Sequence, residues 1–205
     1  MRDPQNIAQV AILEPDYMGF IFYEESPRFA GATHSSALDM LHPLTKRVGV
    51  FVNAGYYHIL ETIEKYKLDM VQLHSEEPPE ICRSLQEHAG IIKAFGIGSA
   101  SDFCRIADYE GACDLYVFDT KTPAYGGSGR KFDHRLLSFY KGQTPYLLSG
   151  GISVDDMSSG LNNYDKLCIG FDINSRFETS PGVKDPELIK TFLELIKNKD
   201  NEQDR

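Results

Sequence analysis

The feature that most constrains the fold is a regular alternation of short apolar runs with longer helical patterns along the chain. Helical periodicity fills the intervals at 56–67, 79–88, 101–109, 133–140, 154–161 and 186–197. The apolar, strand-like runs cover 17–22, 47–52, 70–73, 91–95, 115–118, 146–148 and 167–171. Strict alternation of this kind predicts parallel strands joined by right-handed crossovers.

The order of these units separates two parallel-sheet architectures. Asp3-Pro4 predicts an N-cap with proline at the first helical position, so the chain opens with a helix and carries seven strands. A doubly wound sheet would show a glycine fingerprint after its first strand, and the sequence has none there. Polar residues instead follow the ends of many strands, as in the βα-loops of a barrel. We therefore expect a (β/α)8 TIM barrel whose first β-strand is missing from this chain.

The remaining organisation is simple. Residues 1–205 are expected to form a single (β/α) barrel domain, because the sequence shows no linker or low-complexity stretch. The segment 30–45 is weakly patterned and is predicted to hold a short helix. The polar tail at 198–205 is expected to be frayed.

Charge and cysteine content narrow the class of protein. With 21 basic and 30 acidic residues the net charge is −9, which disfavours nucleic-acid binding. No apolar run approaches the roughly 20 residues of a membrane-spanning helix, so no membrane partner is expected. The four cysteines are far apart and form no CxxC pair, which predicts reduced thiols of a cytoplasmic protein rather than a disulfide or metal framework.

Asp119 is the first candidate functional residue. It ends the apolar run at 115–118 and is followed by the glycine-rich stretch Gly126-Gly127-Ser128-Gly129. A carboxylate at the end of a buried strand is costly unless it is used, so Asp119 is a candidate general acid or base. A carboxylate that caps its own loop beside Lys121 is an equally good interpretation of this pattern.

Two further loop residues offer polar chemistry. Arg28 has the fork that binds a ligand carboxylate, and His74 is able to polarise a ligand or donate a proton. For each of them the ordinary alternative is stronger on sequence alone. That alternative is a solvated loop arginine in one case and a locally hydrogen-bonded histidine in the other.

The loops after the last strands are typical of a phosphate site. Gly150-Gly151 lies between a strand and a helix start, where unpaired N–H groups are available, although two glycines are a weak signal. Asp172, Asn174 and Ser175 follow the last strand. The loops after strands 7 and 8 of a barrel usually hold the phosphate, which favours a functional interpretation of this turn.

The four thiols are weaker candidates. Cys82 and Cys104 fall within helical patterns and are interpreted as packing residues, and Cys113 precedes its strand, away from the barrel mouth. Cys168 lies four residues before Asp172, so alternation would place both on one face of the strand.

Eight segments in consistent order resemble the phosphoribosylanthranilate isomerase family: MRDPQNIAQV, DYMGFIFYEESPRF, KRVGVFVNAG, VQLHSEEPPE, IKAFGI, FDTKTPAYGGSGRKFD, LLSGGIS and DINSRFETSPGVKD. The resemblance implies a (β/α)8 barrel acting in tryptophan biosynthesis. The implied reaction is the cofactor-free Amadori rearrangement of N-(5-phosphoribosyl)anthranilate to 1-(2-carboxyphenylamino)-1-deoxyribulose 5-phosphate. The expected partner is this small phosphoribosyl substrate, and the expected assembly is a monomer or homodimer.

The resemblance also implies roles for the motif residues. Asp119 is the expected general acid that protonates the ribose ring oxygen, and Arg28 is expected to clamp the anthranilate carboxylate. The expected substrate-binding residues are completed by His74, Gly126, Gly127, Gly150, Gly151, Asp172, Asn174 and Ser175. Of these, Gly126 and Gly127 are expected in a loop over the mouth, and Gly150, Gly151, Asn174 and Ser175 at the phosphate.

One family element has no counterpart in the sequence. In the family a strand of the form Lys-x-Cys-Gly stands before the Met-Arg-Asp-Pro helix start, and its cysteine is the catalytic base. Either the natural protein carries this strand upstream, which we favour, or a shortened chain has lost or relocated its base. The 205-residue chain is accordingly expected to be an impaired catalyst. A non-catalytic phosphosugar-binding barrel is one alternative, and another phosphosugar barrel enzyme, with Lys93 as a catalytic lysine, is a second.

Overall fold

Seven parallel strands form one sheet in the order in which they occur along the chain. The computed structural model describes residues 1–121, 133–158 and 166–203. The strands are β1 (Tyr17–Ile21), β2 (Lys46–Phe51), β3 (Met70–Leu73), β4 (Gly90–Ile97), β5 (Leu115–Thr120), β6 (Tyr146–Leu148) and β7 (Cys168–Phe171). All seven predicted strands are confirmed, and no end differs from its expected position by more than two residues.

The sheet curls around an apolar interior. One cluster of buried residues joins four strands and consists of Val48, Ile92, Ala94, Leu115, Val117 and Leu147. In a flat sheet β2 and β6 would lie four strand spacings apart, about 19 Å. A single apolar cluster that extends from Val48 to Leu147 is typical of a sheet curled toward a barrel interior. In the part of the chain that the structure describes, pairing runs from β1 to β7 and leaves these two strands at the edges.

The other face of the sheet packs against helices through a larger core. Outward-facing aromatic residues of β5 and β6, including Tyr116, Phe118 and Tyr146, are fully buried there. Phe118 and Tyr146 have ring centroids 4.6 Å apart. The strands are thus buried on both faces, which explains why their sequences are nearly continuous apolar runs.

The helical layer mixes α-helices with 3₁₀ helices. The α-helices are α1 (Pro4–Ala11), α2 (Tyr56–Tyr66), α3 (Pro79–Leu85), α4 (Val154–Ser158) and α5 (Pro186–Gln203). The 3₁₀ helices are Ser35–Met40, Ala100–Tyr109, His134–Phe139 and Ser175–Phe177. The second and third of these fill the crossovers after β4 and β5, where ordinary helices were expected, and the first is the short helix predicted in 30–45. α5 continues to Gln203, beyond the predicted end at residue 197.

A small antiparallel hairpin was not predicted. It consists of β8 (Glu178–Ser180) and β9 (Val183–Lys184), inserted between β7 and α5. The buried side chain of Asn6, on α1, holds this hairpin: Lys184 N–H donates to Asn6 Oδ1 (2.7 Å), and Asn6 Nδ2 donates to Lys184 O (2.8 Å). The two ends of the described chain are therefore joined directly.

Candidate active site

Three ionisable side chains meet at the carboxyl ends of the alternate strands β3, β5 and β7. Asp119 is the penultimate residue of strand β5, whereas His74 and Asp172 directly follow β3 and β7. The His74 N–H donates to Phe51 O and the Asp172 N–H donates to Leu148 O, each at 2.9 Å. These bonds continue the ladders past the strand ends and hold the side chains at the carboxyl edge, where barrel active sites are built.

Asp119 and His74 form the centre of the site. Asp119 Oδ2 lies 3.7 Å from His74 Nε2, and both side chains are about one-quarter exposed. The other oxygen, Asp119 Oδ1, accepts a hydrogen bond from the Thr120 N–H (2.7 Å). One oxygen is thus held by the backbone, and the other faces the imidazole. This geometry suits a carboxyl group that exchanges a proton with a ligand in the mouth.

Asp172 supplies a second, more enclosed carboxyl group. The residue is half-buried by surface area, but protein atoms surround its carboxyl group. Burial raises the pKa of Asp172 above its ordinary value, and the charge of Asp119 raises it further. The hydrogen bond from Ser149 Oγ to Asp172 Oδ2 (3.2 Å) and the charges of His74 and Lys184 act in the opposite direction. Asp172 is therefore the carboxyl group of the site that burial most favours in its protonated form.

The Gly150-Gly151 loop packs against the candidate acid. Both glycines have positive φ, +92° and +69°. A Cβ on Gly150 would lie 2.3 Å from Thr120 Oγ1 and 3.2 Å from Asp119 Oδ1, so this loop needs glycine in order to approach β5. The predicted phosphate role of the two glycines stays a prediction. Gly126 and Gly127, expected over the mouth, lie outside the described residues.

Arg28 is already bound to an acid. Its Nε donates to both carboxylate oxygens of Glu178 (3.0 and 2.9 Å), and its Nη2 donates to Oε2 (2.8 Å). Burial pushes the pKa of Glu178 upward, but Arg28 and Lys184 outweigh burial and hold the pKa below its ordinary value. Glu178 occupies the Nε–Nη2 edge of the guanidinium. The predicted clamp on a ligand carboxylate would therefore use the opposite edge, formed by Nη1 and Nη2.

A lysine that the sequence did not indicate contacts the predicted phosphate turn from strand β9. Lys184 Nζ donates to Asn174 Oδ1 (2.6 Å) and to Glu178 Oε1 (2.9 Å). Burial lowers the pKa of Lys184, and the charge of Glu178 opposes this effect. Ser175 begins the 3₁₀ helix Ser175–Phe177 beside it. The Asn174 side chain is thus bound to a cation, which places positive charge next to the turn.

Lys93 is not a group of this site. Its neighbours Ile92 and Ala94 face the barrel interior, so alternation directs Lys93 toward the helices. Its Nζ donates to Leu73 O (3.1 Å), Ala94 O (3.1 Å), Ser75 O and Glu77 Oε2 (3.2 Å). The alternative enzyme that needs a catalytic lysine at a strand end is therefore not supported by Lys93.

The cysteines correct two predictions. Cys82 is buried as expected, but Cys104 is exposed and does not pack. Cys168 does not share a face with Asp172, because the register shifts between Tyr146 and Leu147: Cys168 pairs with Tyr146, while Gly170 pairs with Leu147. This irregularity breaks the alternation and leaves Cys168 packed against the outer core. None of the four cysteines lies at the carboxyl end of a described strand.

Several residues of the site were missed by sequence reasoning. Gln72 lies two positions before His74 on β3, with its Oε1 3.3 Å from His74 Nδ1. Strand alternation places both on the interior face, so this pair was accessible from the pattern. Glu178 and Lys184 gave no comparable signal, since a short hairpin far along the chain brings them to Arg28. Within the described ranges, no group of three or more His, Cys, Asp or Glu side chains could hold a metal ion, and no helix there is long and apolar enough to cross a bilayer.

Comparison with known proteins gives a consistent result. The family model described as N-(5'phosphoribosyl)anthranilate (PRA) isomerase matches residues 1–195. An N-(5'-phosphoribosyl)anthranilate isomerase of Parabacteroides distasonis is 45% identical over 199 residues, which cover 96% of this chain and 90% of the relative.

Solved structures agree in fold. The phosphoribosyl anthranilate isomerase of Thermotoga maritima has a TM-score of 0.83 and 33% identity, covering 97% of this chain and 96% of that one. A phosphoribosyl anthranilate isomerase in complex with reduced 1-(o-carboxyphenylamino)-1-deoxyribulose 5-phosphate has a TM-score of 0.79 and 28% identity, covering 97% and 95%. These similarities confirm the predicted α/β TIM-barrel class.

Proposed function

The chain belongs to the N-(5'-phosphoribosyl)anthranilate isomerase family, and on that premise we propose that Asp119 is the general acid of its Amadori rearrangement. The reaction converts N-(5-phosphoribosyl)anthranilate to 1-(2-carboxyphenylamino)-1-deoxyribulose 5-phosphate in tryptophan biosynthesis. The observation that carries this assignment is the convergence of Asp119, His74 and Asp172 at the ends of three strands. The acid and its neighbours come from separate loops, as barrel catalysis requires.

The first chemical step needs one proton donor. Asp119 gives its proton to the ribose ring oxygen, the bond from that oxygen to C1 breaks, and the anthranilate nitrogen lone pair forms an imine with C1. Oδ1 of Asp119 is held by the Thr120 N–H, so Oδ2 is the oxygen available for this transfer. A base then removes the C2 proton to give an enolamine. The enolamine becomes the ketone when C1 gains a proton from the protonated base and the C2 hydroxyl loses its own proton to the Asp119 carboxylate, directly or through water, which restores both groups. We assign this base to no described residue, because no cysteine lies near the strand ends that hold Asp119.

The two anionic ends of the substrate need separate cationic or N–H donor groups. We assign the anthranilate carboxylate to the Nη1–Nη2 edge of Arg28, opposite the edge that Glu178 holds by three hydrogen bonds. We assign the phosphate to the Gly150-Gly151 loop and the Asn174-Ser175 turn, beside the Lys184 ammonium. His74 and Asp172 face the substrate between these two ends. No cofactor enters this assignment, since the rearrangement needs only proton transfers.

The test of this function uses turnover and binding as separate readouts. Loss of the anthranilate-sugar fluorescence reports turnover of N-(5-phosphoribosyl)anthranilate, and calorimetry reports binding of the reduced product analogue. Asp119→Asn is expected to lower turnover by roughly 10²–10⁴-fold and to retain binding of the analogue. The control is Asp108→Asn, an exposed aspartate remote from the strand ends, which should keep both values. A chain that neither binds the analogue nor converts the substrate would overturn the assignment.

The assembly and cellular location follow from the same premise as proposals. We propose a monomer or a homodimer that works in the cytoplasm on a small phosphoribosyl substrate. The exposed apolar side chains available to a second copy include Ile12, Leu44 and Tyr57, each more than three-quarters exposed. Sedimentation equilibrium across a hundredfold range of protein concentration distinguishes the two states.

A further inference from the structure

We propose that Gln72 is a positioning residue of this site: its side-chain carbonyl fixes the proton of His74 on Nδ1, so that the opposite nitrogen accepts a hydrogen bond from Asp119. The consequence for catalysis rests on the proposed function. The tautomer itself is a property of the folded chain and can be measured without turnover.

The location of Gln72 is unusual for an amide. It lies in the middle of β3, where its register partners are Val50 on β2 and Ile92 on β4. Both partners belong to or pack against the apolar interior cluster, and Gln72 itself is only 7% exposed. A buried amide in such surroundings is costly unless it makes hydrogen bonds, and an aliphatic residue would satisfy the packing alone. The Gln72 amide therefore needs a hydrogen-bond partner that offsets the cost of its burial.

The His74 imidazole is a hydrogen-bond partner of Gln72. Gln72 Oε1 lies 3.3 Å from His74 Nδ1. A carbonyl oxygen has lone pairs and no hydrogen, so this contact is a hydrogen bond only when Nδ1 carries a proton. Neutral imidazole has one N–H, and Nε2 is then left with its lone pair. The reversed amide orientation would present NH₂ to Nδ1 and reverse both assignments.

The choice of tautomer decides how His74 meets the acid. His74 Nε2 faces Asp119 Oδ2 at 3.7 Å, slightly longer than a hydrogen bond, and catalytic contacts of this kind commonly shorten when a ligand binds. Asp119 Oδ1 is occupied by the Thr120 N–H, so the proton of the carboxyl form sits on Oδ2. An Nε2 lone pair accepts a hydrogen bond from that O–H. An Nε2–H group would instead donate to the carboxylate and stabilise the anion, which cannot act as the acid.

Two other charged groups act on this pair. Asp172, directly after β7, interacts electrostatically with both Asp119 and His74, and Lys184, on β9, interacts with Asp172. The Gln72 carbonyl adds no charge of its own to this group. Its specific contribution is to determine which of the two ring nitrogens of neutral His74 carries the proton.

Nitrogen-15 NMR of histidine-labelled protein tests this assignment directly. Two-bond proton–nitrogen couplings identify which ring nitrogen is protonated, and loss of one signal set in His74→Asn assigns His74 among the six histidines. At a pH where the ring is neutral, we expect His74 Nδ1 to be protonated and Nε2 to be the bare nitrogen. Finding the proton on Nε2 in the unaltered chain would overturn the proposal, whatever the variants do.

Gln72→Leu removes the acceptor and keeps an apolar side chain of similar size. We expect it to abolish the preference for Nδ1–H and to lower kcat on the order of tenfold, with less than a twofold change in KM. The control is Leu147→Met, a volume-conserving swap in the same interior, which should leave the His74 couplings unchanged. If Gln72→Leu keeps both the couplings and kcat, Gln72 is only a packing residue. If the couplings behave as expected in a chain that neither binds the reduced product analogue nor converts the substrate, the positioning role stands and the proposed function fails.

Discussion

The buried ion pair between Lys93 and Glu77 gives the sharpest prediction of stability. Their side chains are only 1% and 5% exposed, with Lys93 Nζ 3.2 Å from Glu77 Oε2. Glu77 also accepts from the Asn53 N–H (2.8 Å) and the Ser75 N–H (2.9 Å), so it ties the loops after β2 and β3 to β4. Lys93→Met leaves an uncompensated buried carboxylate, a change that costs about 3–5 kcal/mol. At about 2–4 °C per kcal/mol for a domain of this size, Tm should fall by about 6–20 °C.

The measurement is a thermal and urea unfolding series on the unaltered chain and four variants. Lys93→Met and Glu77→Gln are compared singly and together, with Lys190→Met as an exposed control expected to stay within about 0.5 kcal/mol. The double variant removes both charges and retains an amide oxygen for one loop N–H, so it should cost clearly less than the sum of the single variants. Strict additivity, or a Lys93→Met cost below about 1 kcal/mol, would refute this account of the pair.

Three further outcomes follow from the site. Gly150→Ala should lower the free energy of unfolding in urea by about 1–3 kcal/mol and should lower kcat, because the added Cβ would displace Thr120 and Asp119. The control Gly55→Ala, which has open space around it, should change kcat little. Asp172→Asn should raise Tm at pH 7 but not near pH 4. Because the pKa of Asp172 is raised in the folded chain, its contribution to stability is present below the ordinary pKa of 3.8 and is lost as the pH rises and the buried carboxyl group ionises. An equal effect at both pH values would contradict this. Arg28→Lys should raise KM more than it lowers kcat, since lysine cannot form the fork to Glu178 while holding a ligand carboxylate; an unchanged KM would remove Arg28 from the site.

Much of the sheet could be predicted because each strand is buried on both faces. The runs 70–73 and 146–148 coincide with β3 and β6, since apolar side chains are needed both inside the barrel and under the helices. The site edge followed from topology, because parallel strands place all their carboxyl ends together. Asp119 and His74 were accessible for that reason: a charged or polar residue directly after such a run has few other places to lie.

The features that were not predicted depend on contacts between distant segments. Arg28 and Glu178 are 150 residues apart, and no local pattern indicates that a two-strand hairpin brings them together. The register shift at Leu147 is likewise not indicated by any sequence pattern, because it depends on how β7 fits against β6 rather than on the composition of either strand. Alternation therefore misplaced Cys168.

The bond between Asn6 and Lys184 has a consequence for how the chain is made. α1 leaves the ribosome well before the backbone that it holds, because Lys184 is 178 residues further on than Asn6. At synthesis rates of 5–20 residues per second, the Asn6 side chain waits about 10–35 s for this partner. During that interval the amide of Asn6 lacks both of its hydrogen bonds to Lys184. This helix is thus translated before the hairpin, and its final placement comes only when the hairpin has emerged.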